Sequence, residues 1–138
     1  MSYPGNQVRL IKSRLKSDAN IIEGFKMPTI VTEIESYYVQ IGYESTGGAG
    51  GPKSRGVIAC HGDGGYLFLI YLAAPGSSTA EPRYHPDGKI GSINVPVGET
   101  GNYLDILRNE KPLFMYMNSE NPEWNNIRTS LEAVGEGE

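Results

Sequence analysis

Cysteine is almost missing from this 138-residue chain: Cys60 stands alone, which excludes an intrachain disulfide. Imidazole and indole are nearly as scarce, with two histidines and one tryptophan. Positive charge is in deficit. Twelve Lys and Arg against sixteen Asp and Glu leave a net charge of −4, which repels a phosphate backbone and argues against nucleic-acid binding. No apolar run reaches the ~18 residues of a membrane span, so no membrane partner is expected. The N-terminus, Met1-Ser2-Tyr3-Pro4-Gly5-Asn6, also lacks the charged-then-apolar order of a secretory signal. A cytoplasmic protein is the expectation, and Met1 argues against a leader already removed. No residue pattern calls for a cofactor.

What the chain does hold is glycine (18) and tyrosine (9). Glycine opens turns and tyrosine suits pleated surfaces, so strands joined by many turns are favoured over helices. The length fits one domain spanning 1–138, large enough to bury roughly 68% of its unfolded surface without a staple. Charge is uneven along it. Arg9, Lys12, Arg14 and Lys16 crowd one end, while Glu120, Glu123, Glu132, Glu136 and Glu138 crowd the other. Mutual attraction of two solvated ends accounts for this, with a small basic patch for an anionic partner as the sharper reading.

Residues 8–16 fit a helix or a strand, and the strand is favoured because no capping box precedes them. Residues 30–44 form the longest strand candidate. Their apolar face changes near Ser36, which predicts a bulge or a bend. Residues 56–61 and 66–73, separated by Gly62-Asp63-Gly64-Gly65, read as a hairpin. The run from Tyr66 to Leu72 is apolar at every position, which predicts a central strand buried on both faces. Further strands are expected at 89–95, 113–117 and 126–129. One short helix is expected near 102–109, with Asn102 as its cap and Pro112 beyond its end. Segments 46–54 and 74–88 read as flexible loops, and the tail after 134 as frayed. The sum is a mainly β single domain: a β-sandwich or partly open barrel of about seven short antiparallel strands with one helix.

Both histidines sit in one pattern, His-x-Asp-Gly: His61-Gly62-Asp63-Gly64 and His85-Pro86-Asp87-Gly88. Imidazole and carboxylate suit zinc, iron or manganese, so His61, Asp63, His85 and Asp87 make a possible ligand set. Two ordinary Asp-Gly turns would look the same. If 56–61, 66–73 and 89–95 form a meander, the two turns cap opposite ends of a strand spanning ~23 Å. That topology keeps them apart, and no metal site is favoured.

Other chemistries meet specific objections. Cys60 and His61 are adjacent in a strand and point to opposite faces, so they cannot pair as nucleophile and base. A packed, inert thiol is the better reading of Cys60. No Gly-x-Ser-x-Gly elbow is present. The run 47–54 resembles a phosphate loop at a glance, but Pro52 stands where an amide must donate, and a strand follows where a helix is required. Glu33 and Glu35 share a strand face at ~7 Å, as solvated carboxylates on any pleat do. No catalytic residue is assigned.

The aromatic and polar loops remain. Arg83, Tyr84, His85 and Asp87 give the segment 74–88 the most varied donors and acceptors, and Trp124 lies in a second loop, 118–125. Together these suit a ligand or protein surface, although Trp124 also fits as a plug at the end of the barrel. Three functions are weighed. The first is a small binding or protein-interaction module using Arg83, Tyr84, His85, Asp87 and Trp124. The second is a metal-binding protein or metal-dependent enzyme using the two histidine turns. The third is a subunit that self-associates through strand edges, for instance as a homodimer.

Overall fold

The computed structural model describes residues 17–22, 25–46, 53–77, 80–130 and 134. Residues 8–16, most of the glycine loop 46–54 and the tail after 134 lie outside them. Among the described residues, nine strands and one α-helix are arranged as β1 (Ser17–Ile22), β2 (Phe25–Lys26), β3 (Thr29–Thr46), β4 (Lys53–Gly62), β5 (Leu67–Ala73), β6 (Arg83–His85), β7 (Ile90–Pro96), α1 (Thr100–Asn109), β8 (Leu113–Asn118) and β9 (Asn126–Thr129). β1 and β2 pair with each other, and the other seven form one sheet in the order β6-β7-β5-β4-β3-β8-β9.

The sheet is mixed, which corrects the expectation of a wholly antiparallel one. β4 and β5 form the expected hairpin across a 3-10 turn at Asp63–Gly65. β7 then runs parallel to β5, from Leu67↔Ile90 to Ala73↔Pro96. Parallel neighbours need a long connection. Here it is the stretch after Ala73, and it contains a strand of its own. β6 pairs antiparallel with β7 from Arg83↔Ser92 to His85↔Ile90, so 74–88 is half loop and half hairpin.

β3 bulges where its apolar face was expected to change. Its register against β4 shifts between Ile34 and Ser36. The extra residue lets Ile30 and Ile34 share the core side with Tyr37 and Val39, all four packed against the core. β3 also divides its partners. β8 lies beside Thr29–Glu33, and β4 lies beside the rest.

The core fills the concave side of a half-barrel. Ile58 and Cys60 from β4, Phe68, Ile70 and Leu72 from β5, Tyr84 from β6, and Met115 and Met117 from β8 are buried there. The helix covers this side with Tyr103, Leu104 and Leu107. It is preceded by a 3-10 turn at Val97–Glu99, so it begins earlier than expected, and Asn102 lies inside it and bonds Glu99 Oε1 at 3.0 Å. β5 is central but not buried on both faces. Its pattern alternates, with Phe68, Ile70 and Leu72 buried and Leu67, Leu69 and Tyr71 half-buried on the convex side.

Two contacts draw the far edges of the curled sheet together. Gly91 has no side chain because Met117 fills the place: a Cβ there would stand 2.4 Å from the Met117 sulfur and 3.0 Å from the Arg83 carbonyl oxygen. Asn125, 6% exposed, spans the remaining gap. Its Oδ1 accepts from the Asn118 backbone N–H at 2.8 Å, and its Nδ2 donates to the Arg83 carbonyl at 2.8 Å and the Ser92 carbonyl at 3.3 Å. Asn118 is itself buried and organises the following turn, its Oδ1 accepting from the amides of Glu120 and Asn121.

Asn125→Ala is expected to cost about 1–3 kcal/mol, because the buried Asn118 amide loses its acceptor. Asn125→Asp is expected to cost more at neutral pH, where a carboxylate faces two carbonyl oxygens, and to recover part of the loss in acid. Urea midpoints of the two variants at neutral and acidic pH check this; an Asp variant as stable as the native chain at neutral pH would contradict it.

Candidate functional site

The two histidine turns lie at the same end of the sheet, which corrects the topology expected from the sequence. The register places Ser36, His61, Leu67, Ile90 and His85 in one row across β3, β4, β5, β7 and β6. The assumed meander would have turned β7 antiparallel to β5. Because β7 is parallel, its start, and the turn before it, return to the end where β4 and β5 are joined.

The two turns also touch. The Lys89 ammonium donates to the Gly64 carbonyl at 2.9 Å and sits 5.3 Å from the centre of the Tyr66 ring. The Leu67 amide donates to the Lys89 carbonyl at 2.9 Å. Local backbone chemistry permits this closeness. Gly64 and Gly65 take φ of 80° and 85°, which glycine adopts freely. Lys89 takes φ 58°, the left-handed region that a side chain tolerates poorly. Its two contacts to the first turn hold it in that conformation.

Proximity of the turns does not produce a ligand set. His61 and His85 are three strand spacings apart, about 14 Å at ~4.8 Å per strand. Both are exposed and stand on the convex face, where curvature spreads side chains further. Among the described residues, no group of three His, Cys, Asp or Glu side chains gathers closely enough to hold a metal ion. His61 instead faces the Tyr38 ring, with centroids 6.0 Å apart.

The five residues expected to form a recognition surface divide in two. Arg83, His85 and Asp87 are exposed, and Trp124 is 54% exposed. Tyr84 lies between exposed neighbours but points the other way into the core, 6% exposed. Strand alternation forces that split: in β6 the pattern is exposed, buried, exposed. Tyr84 is therefore a packing residue. The plug expected of Trp124 is supplied by Asn125, its neighbour in the chain. The 118–125 and 74–88 segments, which the sequence could only suggest as partners, are joined by the Asn125 bonds to Arg83 and Ser92. Asp63 and Lys89 complete this end of the molecule, and both are exposed. Lys89 carried no motif and was missed. Its only sequence signal is its position after Asp87-Gly88, at the close of a turn.

Cys60 is wholly buried between Ala59 and the outward-facing His61. Burial pushes its thiol from 9.0 to about 12. Burial, and secondarily the nearby Tyr66 phenol, pushes Tyr84 from 10.0 to about 12. Tyr103 moves upward too, by burial and then by Glu99. Each group is held neutral by the fold, so the unfolded chain releases these protons at lower pH. This contribution to stability is complete below about pH 9 and is lost as pH rises toward 12. Cys60→Ala is expected to delay the onset of alkaline destabilisation and Tyr84→Phe to flatten its steeper part. Denaturant midpoints measured against pH check the slopes, and unchanged slopes in both variants would contradict the assignment. Beyond this geometry, no family model, no curated protein and no solved structure matches the chain.

Proposed function

We propose that the protein is a small binding module that recognises another protein through the end of the half-barrel carrying the two histidine turns. The carrying observation is the Lys89–Gly64 tether, which fuses turns from separate hairpins into one surface. On that surface Asp63, His85 and Asp87 are exposed, and their side chains form no hydrogen bond or ion pair among the described residues. Arg83 adds a cation beside them. The Asn125 bonds bring in the turn that carries exposed Trp124. Arginine and tryptophan with mixed polar neighbours are the residue types that anchor protein interfaces. Arg83 and His85 stand on the convex side of β6 and the other groups on exposed turns, which suits a macromolecular surface better than a small molecule that must be enclosed. Neighbouring residues are packed: Tyr84, Met117 and Asn125 are buried.

The reading separates two classes of substitution. Replacing Arg83, His85, Asp87 and Trp124 together with alanine leaves the melting temperature close to native, since exposed positions away from packing change stability little. Tyr84→Ala, by contrast, is expected to cost roughly 3–5 kcal/mol, the range for emptying a buried aromatic position. Affinity capture from cell extract then compares the native chain with the fourfold variant. A protein retained by the first and lost by the second is the expected result. Equal retention by both, or retention by neither, would overturn the proposal.

A further inference from the structure

Among the described residues, the second half of β3 has a strand neighbour on one side only. β8 occupies its other side from Thr29 to Glu33 and stops. Among the described residues, no backbone hydrogen bond reaches the vacant side of the Ser36–Ile41 stretch. A bare strand edge is a template for another strand unless it is guarded by brevity, charge or proline. The remaining edges of the sheet have such guards. β6 is 3 residues long and exposes Arg83 and His85. β9 is 4 residues long and carries Arg128, which lies 4.2 Å from the centre of the Tyr116 ring. β3 carries none of its own: between Glu35 and Glu44 it holds neither charge nor proline, and Arg108, Glu110 and Lys111 line the space beside its Ser36–Tyr37 end, short of the Tyr38–Gly42 stretch. Tyr38 and Ile41 are 52% and 54% exposed there. The two register shifts of β3 bracket this stretch, and between them it is paired with β4 without a bulge.

We infer that this edge pairs with the same edge of a second copy, antiparallel, about a two-fold axis centred on Gln40. The inference does not depend on the recognition surface proposed above. A two-fold axis perpendicular to the sheet keeps each residue on its own face. Successive residues alternate faces, so only registers centred on a residue are possible. Glu35 and Glu44 are an odd number of positions apart, so in no such register do they oppose each other. Both edges meet with charge matched to neutral residues. Centring on Gln40 places Val39 against Ile41 and Tyr38 against Gly42. The Tyr38 ring, which faces His61 of β4 in the single chain, is half exposed and would turn toward the seam, and nothing lies within 4 Å of where a Gly42 Cβ would stand. An aromatic ring over a glycine on the facing strand fills that kind of space. The two Gln40 side chains, exposed in the single chain, meet at the axis, where each amide both donates and accepts. This self-complementarity singles out a copy of the chain over an unrelated strand.

Light scattering after size exclusion tests the inference at increasing protein concentration. The native chain is expected to shift from monomer to dimer mass. Gln40→Lys and Gln40→Glu are each expected to lose the dimer, because like charges meet at the axis, and an equimolar mixture of the two is expected to regain it. Gln40 is exposed, so thermal melts of both variants should match the native chain. A native chain that stays monomeric at every concentration would overturn the inference. So would the same result with slow exchange at those amides of Tyr38–Ile41 that point away from β4, which would assign the edge to another part of the same chain. A dimer that persists in both variants would place the contact elsewhere, and a mixture that stays monomeric would sink the register.

Discussion

Leu67–Ala73 and Ile90–Pro96 lie side by side and run the same way, hydrogen-bonded along their length. Almost every later placement follows from that ladder. A parallel neighbour cannot be reached by a tight turn, so the chain leaves the far end of β5 and comes back along the outside as β6. β7 then fills the space between them. The connection ends where β5 began, and the turn at Pro86–Lys89 lands against the turn at Asp63–Gly65. With β7 antiparallel, the same residues would stand a full strand length apart.

The ladder leaves β6 as a short outer edge, and the curvature of the sheet carries that edge toward β8. Here chemistry becomes specific. Gly91 makes room for Met117, and Asn125 supplies the acceptor for the buried Asn118 amide while donating to two backbone carbonyls across the gap. An asparagine is suited to this because it offers a carbonyl and an amine in opposite directions. The same closure explains why the candidate surface is composite. Trp124 belongs to it only because its neighbour Asn125 is pinned to β6.

Much of the architecture was legible in local pattern. The β4–β5 hairpin, the β8 and β9 strands, the single helix and the bulge near Ser36 all follow from periodicity and turn residues, which act over a few positions. The inertness of Cys60 and its separation from His61 follow from strand alternation. Tyr84 was misjudged because Arg83-Tyr84-His85 is too short to show a period, and three residues between prolines look like loop. β5 was read as buried on both faces because its composition is uniformly apolar. Only its place in the sheet shows that one face is half-covered.

The order of apolar, polar and turn residues determined by itself that this chain is mainly β and, to within a few residues, where β4, β5, β7, β8 and β9 lie. Those properties depend on neighbours within one strand or one turn. Direction and adjacency of strands were decided only in three dimensions, because no residue in β7 encodes whether β5 runs with it or against it. That choice comes from the whole path between them and from how well the two ends of the curled sheet close. The meeting of the two histidine turns and the burial of Tyr84 belong to this second class.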